Sequence, residues 1–149
     1  MRKKLLICAL LGALLFLPKM CSNTEVKHPP GRDTVNLFGD GSFQISKSPK
    51  GNTSLYYYSE GAPIIGSVED YCEIQGKIYL TGYLHGMKQY AIIELNTNKV
   101  YLCVIDLESG SEIISPHLFP SSLVENGTIV IQLYFDFTEA DRKVFSELG

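Results

Sequence analysis

Residues 71–106, YCEIQGKIYLTGYLHGMKQYAIIELNTNKVYLCVID, decide the fold of this chain. Short runs of β-branched and aromatic residues alternate there with turn signals, which is the pattern of consecutive antiparallel strands. Gln75-Gly76 and Asn96-Thr97-Asn98 predict tight turns, because glycine and asparagine tolerate the left-handed backbone conformation. Residues 85–88, His-Gly-Met-Lys, predict a longer loop.

Each predicted strand of this stretch keeps a period of two, yet both of its faces are apolar. In residues 77–84, Ile78 and Leu80 lie on one face, and Tyr79 and Tyr83 lie on the other. A sheet with one solvated face would instead alternate between apolar and polar residues. We therefore expect a core on one face and a second layer, a partner or an aromatic surface on the other.

Six tyrosines form the candidate interaction face of the chain. Tyrosines that share one sheet face would make an aromatic patch of the kind enriched at interfaces. The alternative is a second buried layer whose hydroxyl groups are bonded at its rim, and this is the interpretation that we favour. The residues are Tyr56, Tyr58, Tyr79, Tyr83, Tyr90 and Tyr101.

The N-terminus carries the features of an export signal. Arg2-Lys3-Lys4 precedes an apolar run, residues 5–17. This run fits the ~7–15 residues of a secretory signal and is shorter than the ~18–20 residues that span a bilayer. Cys21 stands where a lipoprotein carries its lipidated cysteine, but residues 17–20 match neither a lipobox nor an ordinary cleavage site well. Anchoring through Cys21 and a soluble or uncleaved product both stay open.

The composition divides the chain into three parts. Residues 1–21 are a signal peptide or lipoprotein leader, residues 22–33 are a polar linker, and residues 34–149 are a single β-rich domain. The domain is long enough to bury a proper core. We expect an exported protein of the cell envelope, either periplasmic or held at the membrane by its leader or by a lipid on Cys21.

The C-terminal part predicts one more strand and a helix. Residues 128–137, TIVIQLYFDF, are the most hydrophobic run of the domain and predict a central strand. Thr138 can cap a short helix, residues 139–147, that packs Val144 and Leu148 against the sheet. The predicted fold is mainly β: an antiparallel meander, sandwich-like or barrel-like, with a short C-terminal helix.

No motif in the sequence specifies catalysis or a bound group, so we predict no catalytic, cofactor-binding or metal-ligating residue and no cofactor. His28, His85 and His117 lie in the linker and in two loops, without the spacing of a metal pair. In a flat meander, Cys72 and Cys103 lie three strands apart, about 14 Å at ~4.8 Å per strand. This distance is too long for a disulfide. Unless the sheet closes or reorders, we expect free thiols.

The mixed charge of the chain, with a formal net value of −3, offers no basic face for nucleic acid, so nucleic acid is not an expected partner. The segments NLFGDGSFQIS at 36–46, KIYLTGYL at 77–84 and YAIIELNTNKVY at 90–101 resemble small exported bacterial proteins of unknown function. The resemblance implies export and β structure. It implies no active site, because the shared residues are turn signals.

The leading hypothesis is a non-enzymatic envelope protein that binds a protein partner through its sheet or its loops. An immunity or inhibitor protein against a toxin is a specialised form of this hypothesis. One alternative is a small envelope enzyme, which would need His85 or His117 to meet a carboxylate in a cleft. Another is a structural subunit that assembles by pairing of strand edges.

Overall fold

The computed structural model describes residues 25–149, so the predicted leader, Cys21 and the start of the predicted linker lie outside the described residues. Within residues 25–149, the chain forms eight strands and two α-helices. The strands are β1 (Thr34–Phe38), β2 (Phe43–Lys47), β3 (Thr53–Tyr57), β4 (Ser67–Ile74), β5 (Lys77–Leu84), β6 (Met87–Glu94), β7 (Lys99–Asp106) and β8 (Ile129–Ile131). The helices are α1 (Ser121–Glu125) and α2 (Glu139–Leu148), and single 3-10 turns lie at Pro116–Leu118 and Tyr134–Asp136.

The strands belong to two sheets. One has the order β1-β2-β3, and the other has the order β4-β5-β6-β7-β8. All neighbouring pairs are antiparallel except β7 and β8, which are parallel. The predicted class, mainly β and mostly antiparallel with a short C-terminal helix, is confirmed. Over residues 25–149, neither sheet closes into a barrel.

The hairpin turns of the larger sheet are tight. Gln75 and Gly76 have φ values of 51° and 77°, so they form the predicted two-residue turn between β4 and β5. His85 and Gly86 have φ values of 50° and 80° and make an equivalent turn between β5 and β6. The predicted longer loop at residues 85–88 is therefore wrong. Two residues suffice there, because glycine takes the positive φ without strain, and the two residues that follow start β6.

The two faces of the larger sheet separate as the alternation predicts. The three-stranded sheet packs over one face, and together they enclose the inner core, in which Phe43, Leu55, Leu80 and Leu102 are fully buried. The opposite face of the sheet packs against α2 and encloses the outer core. The outer core consists of the buried residues Tyr79, Ile92, Cys103, Phe137 and Phe145 and the partly buried Cys72, Tyr90, Tyr101, Ile105, Tyr134, Val144 and Leu148.

The predicted central strand at residues 128–137 is wrong in length and in position. Only Ile129–Ile131 is a strand, and it lies at the edge of the sheet beside β7. Two carboxylates end it: Glu112 accepts a hydrogen bond from the Tyr134 amide at 2.6 Å, and Asp136 accepts one from the Leu133 amide at 2.9 Å. Because side-chain carboxylates, and not a neighbouring strand, accept from these amides, the chain leaves the sheet and turns towards α2.

Candidate interaction site

The six tyrosines of the predicted interaction face do not share one exposed surface. Tyr79, Tyr90 and Tyr101 belong to the outer core beneath α2. Tyr83 lies on the same sheet face, beyond the helix, and contacts Lys88. The other two, Tyr56 and Tyr58, lie in and just after β3. Where α2 covers it, this sheet face is therefore a second buried layer and not an exposed aromatic patch.

Phe145 joins α2 to this tyrosine layer. Its ring centroid lies 5.8 Å from that of Tyr79, 5.3 Å from that of Tyr90 and 5.1 Å from that of Phe137. All three contacts have the edge-to-face geometry that aromatic pairs prefer. The predicted Val144 and Leu148 also pack there, but Phe145, only 1 % exposed, is the central residue of the contact.

A buried carboxylate fixes the start of α2. Thr138 is the predicted N-cap, and Asp141 completes the capping box by accepting a hydrogen bond from the Thr138 amide. The Tyr79 hydroxyl donates to Asp141 at 2.7 Å, and the Lys77 ammonium lies 3.6 Å from the same oxygen. Burial alone would raise the pKa of Asp141. The bonds from Thr138 and Tyr79 and the charge of Lys77 outweigh it, so the pKa lies below its usual value.

At the other end of this sheet face lies a buried lysine. Lys88 is 7 % exposed, and its ammonium lies 4.8 Å from the Tyr83 ring centroid and 5.7 Å from that of Tyr90. It pairs with Glu69 at the bulge of β4. Burial lowers the pKa of Lys88, but the hydrogen bond and the charge of Glu69 raise it more, so the lysine stays charged. The pair ties β4 to β6 across β5.

Cys72 and Cys103, the two cysteines within residues 25–149, are free thiols, as expected from their separation by three strands. Two effects raise the pKa of Cys103 to about 12: burial, which is the larger, and the negative charge of the Glu112 carboxylate, 3.7 Å from the sulfur. Burial also raises the pKa of Cys72. A high thiol pKa keeps the nucleophilic thiolate rare, so neither residue is suited to attack a substrate.

The most unusual surface residue lies where β8 ends. Phe135 is 80 % exposed, more than any other large hydrophobic residue among residues 25–149. The Arg142 guanidinium lies over its ring, 5.3 Å from the centroid, and donates hydrogen bonds to the carbonyl groups of Phe135 and Phe137. Residues 133–137, which we name the Phe135 turn, thus present an exposed aromatic ring on a backbone that Arg142 holds by hydrogen bonds.

The Phe135 turn has apolar neighbours. Leu133, within the turn, is 38 % exposed. Ile114, 62 % exposed, follows two residues after Glu112, whose carboxylate binds the Tyr134 amide. Sequence reasoning missed this surface because Leu-Tyr-Phe-Asp-Phe continues an apolar run and resembles a strand. The available signal was Asp136, since a carboxylate can cap a nearby amide and so favours a turn.

A concave region lies where turns of the two sheets meet. It is a cleft of about 980 Å³. Asn98, after the β6 strand, donates to Asp40, in the β1–β2 turn, at 3.3 Å and so links the two sheets across it. Charged side chains of both signs line the cleft: Glu25, Lys27, Asp40, Glu73, Lys77 and Glu94.

The three histidines considered in the sequence lie in different parts of the fold. His28 stacks on Tyr58 with ring centroids 3.5 Å apart, His85 occupies the β5–β6 turn, and His117 lies in the first 3-10 turn. Among the described residues, no three His, Cys, Asp or Glu side chains come together as a metal site.

No protein-family model, curated protein or solved structure matches the chain. None of the helices within residues 25–149 is both long enough and apolar enough to cross a bilayer.

Proposed function

We propose that the protein is an exported, non-enzymatic interaction domain of the cell envelope that binds a protein partner through the Phe135 turn. The observation that carries the proposal is a phenylalanine 80 % exposed to solvent and held in place by Arg142. Exposing an aromatic ring is unfavourable by itself. An ordered exposed ring loses little conformational entropy on binding, which favours its use as an anchor.

The surroundings of the ring favour a protein over a membrane. Asp136 lies in the turn and Glu139 lies in the first turn of α2, while Arg142 is already bonded to the turn itself. An anionic lipid surface would be repelled by these carboxylates. A protein partner with an apolar pocket and a polar rim would accept Phe135 together with Leu133. An inhibitor of a toxin is a specialised form of the same function.

The test begins with a photo-crosslinking amino acid at position 135, expressed in the native host. We expect one protein to be crosslinked there and not from position 35, since Val35 is 58 % exposed but lies in the other sheet, on β1. Crosslinks to lipid alone would contradict the proposal.

The dissociation constant of the purified complex is then measured for Phe135→Ala and for the control Val35→Ala. A central aromatic anchor contributes roughly 2 kcal/mol or more, which corresponds to a loss of about 30-fold in affinity. We expect this loss for Phe135→Ala and less than about twofold for Val35→Ala, a change at an unrelated surface position. An unchanged affinity of Phe135→Ala would exclude the turn as the binding site.

A further inference from the structure

Residues 25–28, in the middle of the predicted linker (residues 22–33), pack against the domain. The amides of Lys27 and His28 both donate to the Asp40 carbonyl, at 2.9 Å and 3.0 Å. The His28 ring stacks on Tyr58, with an interplanar angle of 12°. Residues 25–28 are therefore bound to the β1–β2 turn instead of extending freely into solvent.

Gly41 makes this approach possible. A Cβ at position 41 would lie 2.1 Å from the His28 carbonyl oxygen, a distance that no real contact allows. The residue also has a φ of +89°, which favours glycine. A side chain at this position would displace residues 25–28, the turn, or both.

The same residues complete the cleft between the turns. Glu25 and Lys27 line it on the side of the β1–β2 turn, opposite the β4–β5 and β6–β7 turns. Apart from His28, residues 25–28 are exposed, and within the described part of the chain two amide bonds and one ring stack hold them. Segments with so few contacts open locally at low cost. Pro29-Pro30-Gly31 follows, and Gly31 is fixed by bonds with Thr34, so the movement of residues 25–28 can end there.

We propose that residues 25–28 form a strap that closes one side of the cleft and that release of the strap opens it. The device is independent of the Phe135 turn.

Hydrogen exchange of the full chain tests whether the strap docks. In the wild type we expect the Lys27 and His28 amides to be protected. Gly41→Ala should remove this protection, and Tyr58→Ala should reduce it by up to about tenfold, because only the ring stack is lost. The matched control is Gly51→Ala. Gly51 has nearly the same φ, +90°, which is equally unfavourable for alanine, but nothing lies within 4 Å of the position that the alanine Cβ would take. This variant should keep the wild-type protection.

Thiol labelling tests whether the strap closes the cleft. A cysteine replaces Leu37, a half-buried residue of the cleft wall, and its labelling is read from its own peptide by mass spectrometry. We expect several-fold faster labelling in the Gly41→Ala background than in the Gly51→Ala background. Equal labelling rates would overturn the closing role. Unprotected Lys27 and His28 amides in the wild type, or equal protection in both glycine variants, would overturn the strap itself.

Discussion

Phe135 and Phe145 lie ten residues apart, and their replacement by alanine should change the stability of the protein by very different amounts. Phe145 is 1 % exposed and packs among Tyr79, Tyr90 and Phe137, whereas Phe135 is 80 % exposed. Replacement of either by alanine removes the same atoms. The burial of the ring alone therefore determines the difference in the free energy of unfolding.

The magnitude follows from the outer core. Truncation of a buried phenylalanine to alanine lowers the free energy of unfolding by about 3–5 kcal/mol, through lost burial and the cavity left behind. Phe145 has three edge-to-face ring contacts, which places it in the upper part of that range. Phe135→Ala should change the free energy by less than about 0.5 kcal/mol, as other exposed substitutions do.

Urea denaturation followed by circular dichroism measures both effects. With a slope of about 2 kcal/mol per molar urea, Phe145→Ala should lower the midpoint by about 2 M, and Phe135→Ala should leave it nearly unchanged. Phe145→Leu, which keeps most of the apolar volume, is the control and should lie between the wild type and Phe145→Ala. Equal losses from Phe135→Ala and Phe145→Ala would refute the placement of α2 over the tyrosine layer. A stable Phe135→Ala variant also means that any loss of binding to the proposed partner cannot be attributed to unfolding.

Four further substitutions test the polar contacts of the outer sheet face, each by denaturation. Tyr79→Phe should cost about 1–3 kcal/mol at neutral pH, because the Asp141 carboxylate loses a buried donor. Folding lowers the pKa of Asp141, so the stability that its carboxylate contributes is present above the unfolded pKa of about 3.9 and is lost as the pH falls through the folded pKa. The destabilisation by Tyr79→Phe should therefore shrink below about pH 4. A destabilisation that is independent of pH would contradict this. Glu69→Ala should destabilise more than Lys88→Met, because the first leaves a buried ammonium unpaired while the second leaves a carboxylate that is 44 % exposed; the reverse order would show that the lysine reaches water. Thr81→Val should stabilise by about 1 kcal/mol, because the Thr81 hydroxyl is fully buried and has no hydrogen-bond partner within residues 25–149; destabilisation would mean that the hydroxyl is bonded.

Where local pattern and tertiary packing agree, the sequence predicted the structure. The alternation in β5, β6 and β7 placed their side chains on the correct faces, because a period of two is a property of the strand itself. Thr138 was predicted correctly as an N-cap for the same reason, since a cap acts within one turn of its own helix.

The remaining features depend on residues distant in the chain. Glu112 and the Tyr134 amide are 22 residues apart, yet their bond helps to end β8 and to form the Phe135 turn. Local composition could not show this, because Tyr134 and Phe135 favour strands as strongly as Ile129 does. The docking of His28 on Tyr58 is equally non-local. The exposed Phe135 turn and the docking of residues 25–28 were therefore missed, while the strands of the larger sheet were predicted.

The architecture itself limits where a partner can bind. Both faces of the larger sheet are occupied, one by the smaller sheet and the other, over much of its area, by α2. The free edge of β4 is unsuited to pairing: Asp70 accepts the Tyr71 amide at 2.8 Å, the strand carries a bulge, and Glu69 and Glu73 add charge. Charged and bulged edges of this kind resist the addition of another strand. Assembly by edge pairing is thus disfavoured on this side of the sheet. This limit favours the proposed site in a turn, and the Phe135 turn presents the most exposed large apolar side chain of the described residues.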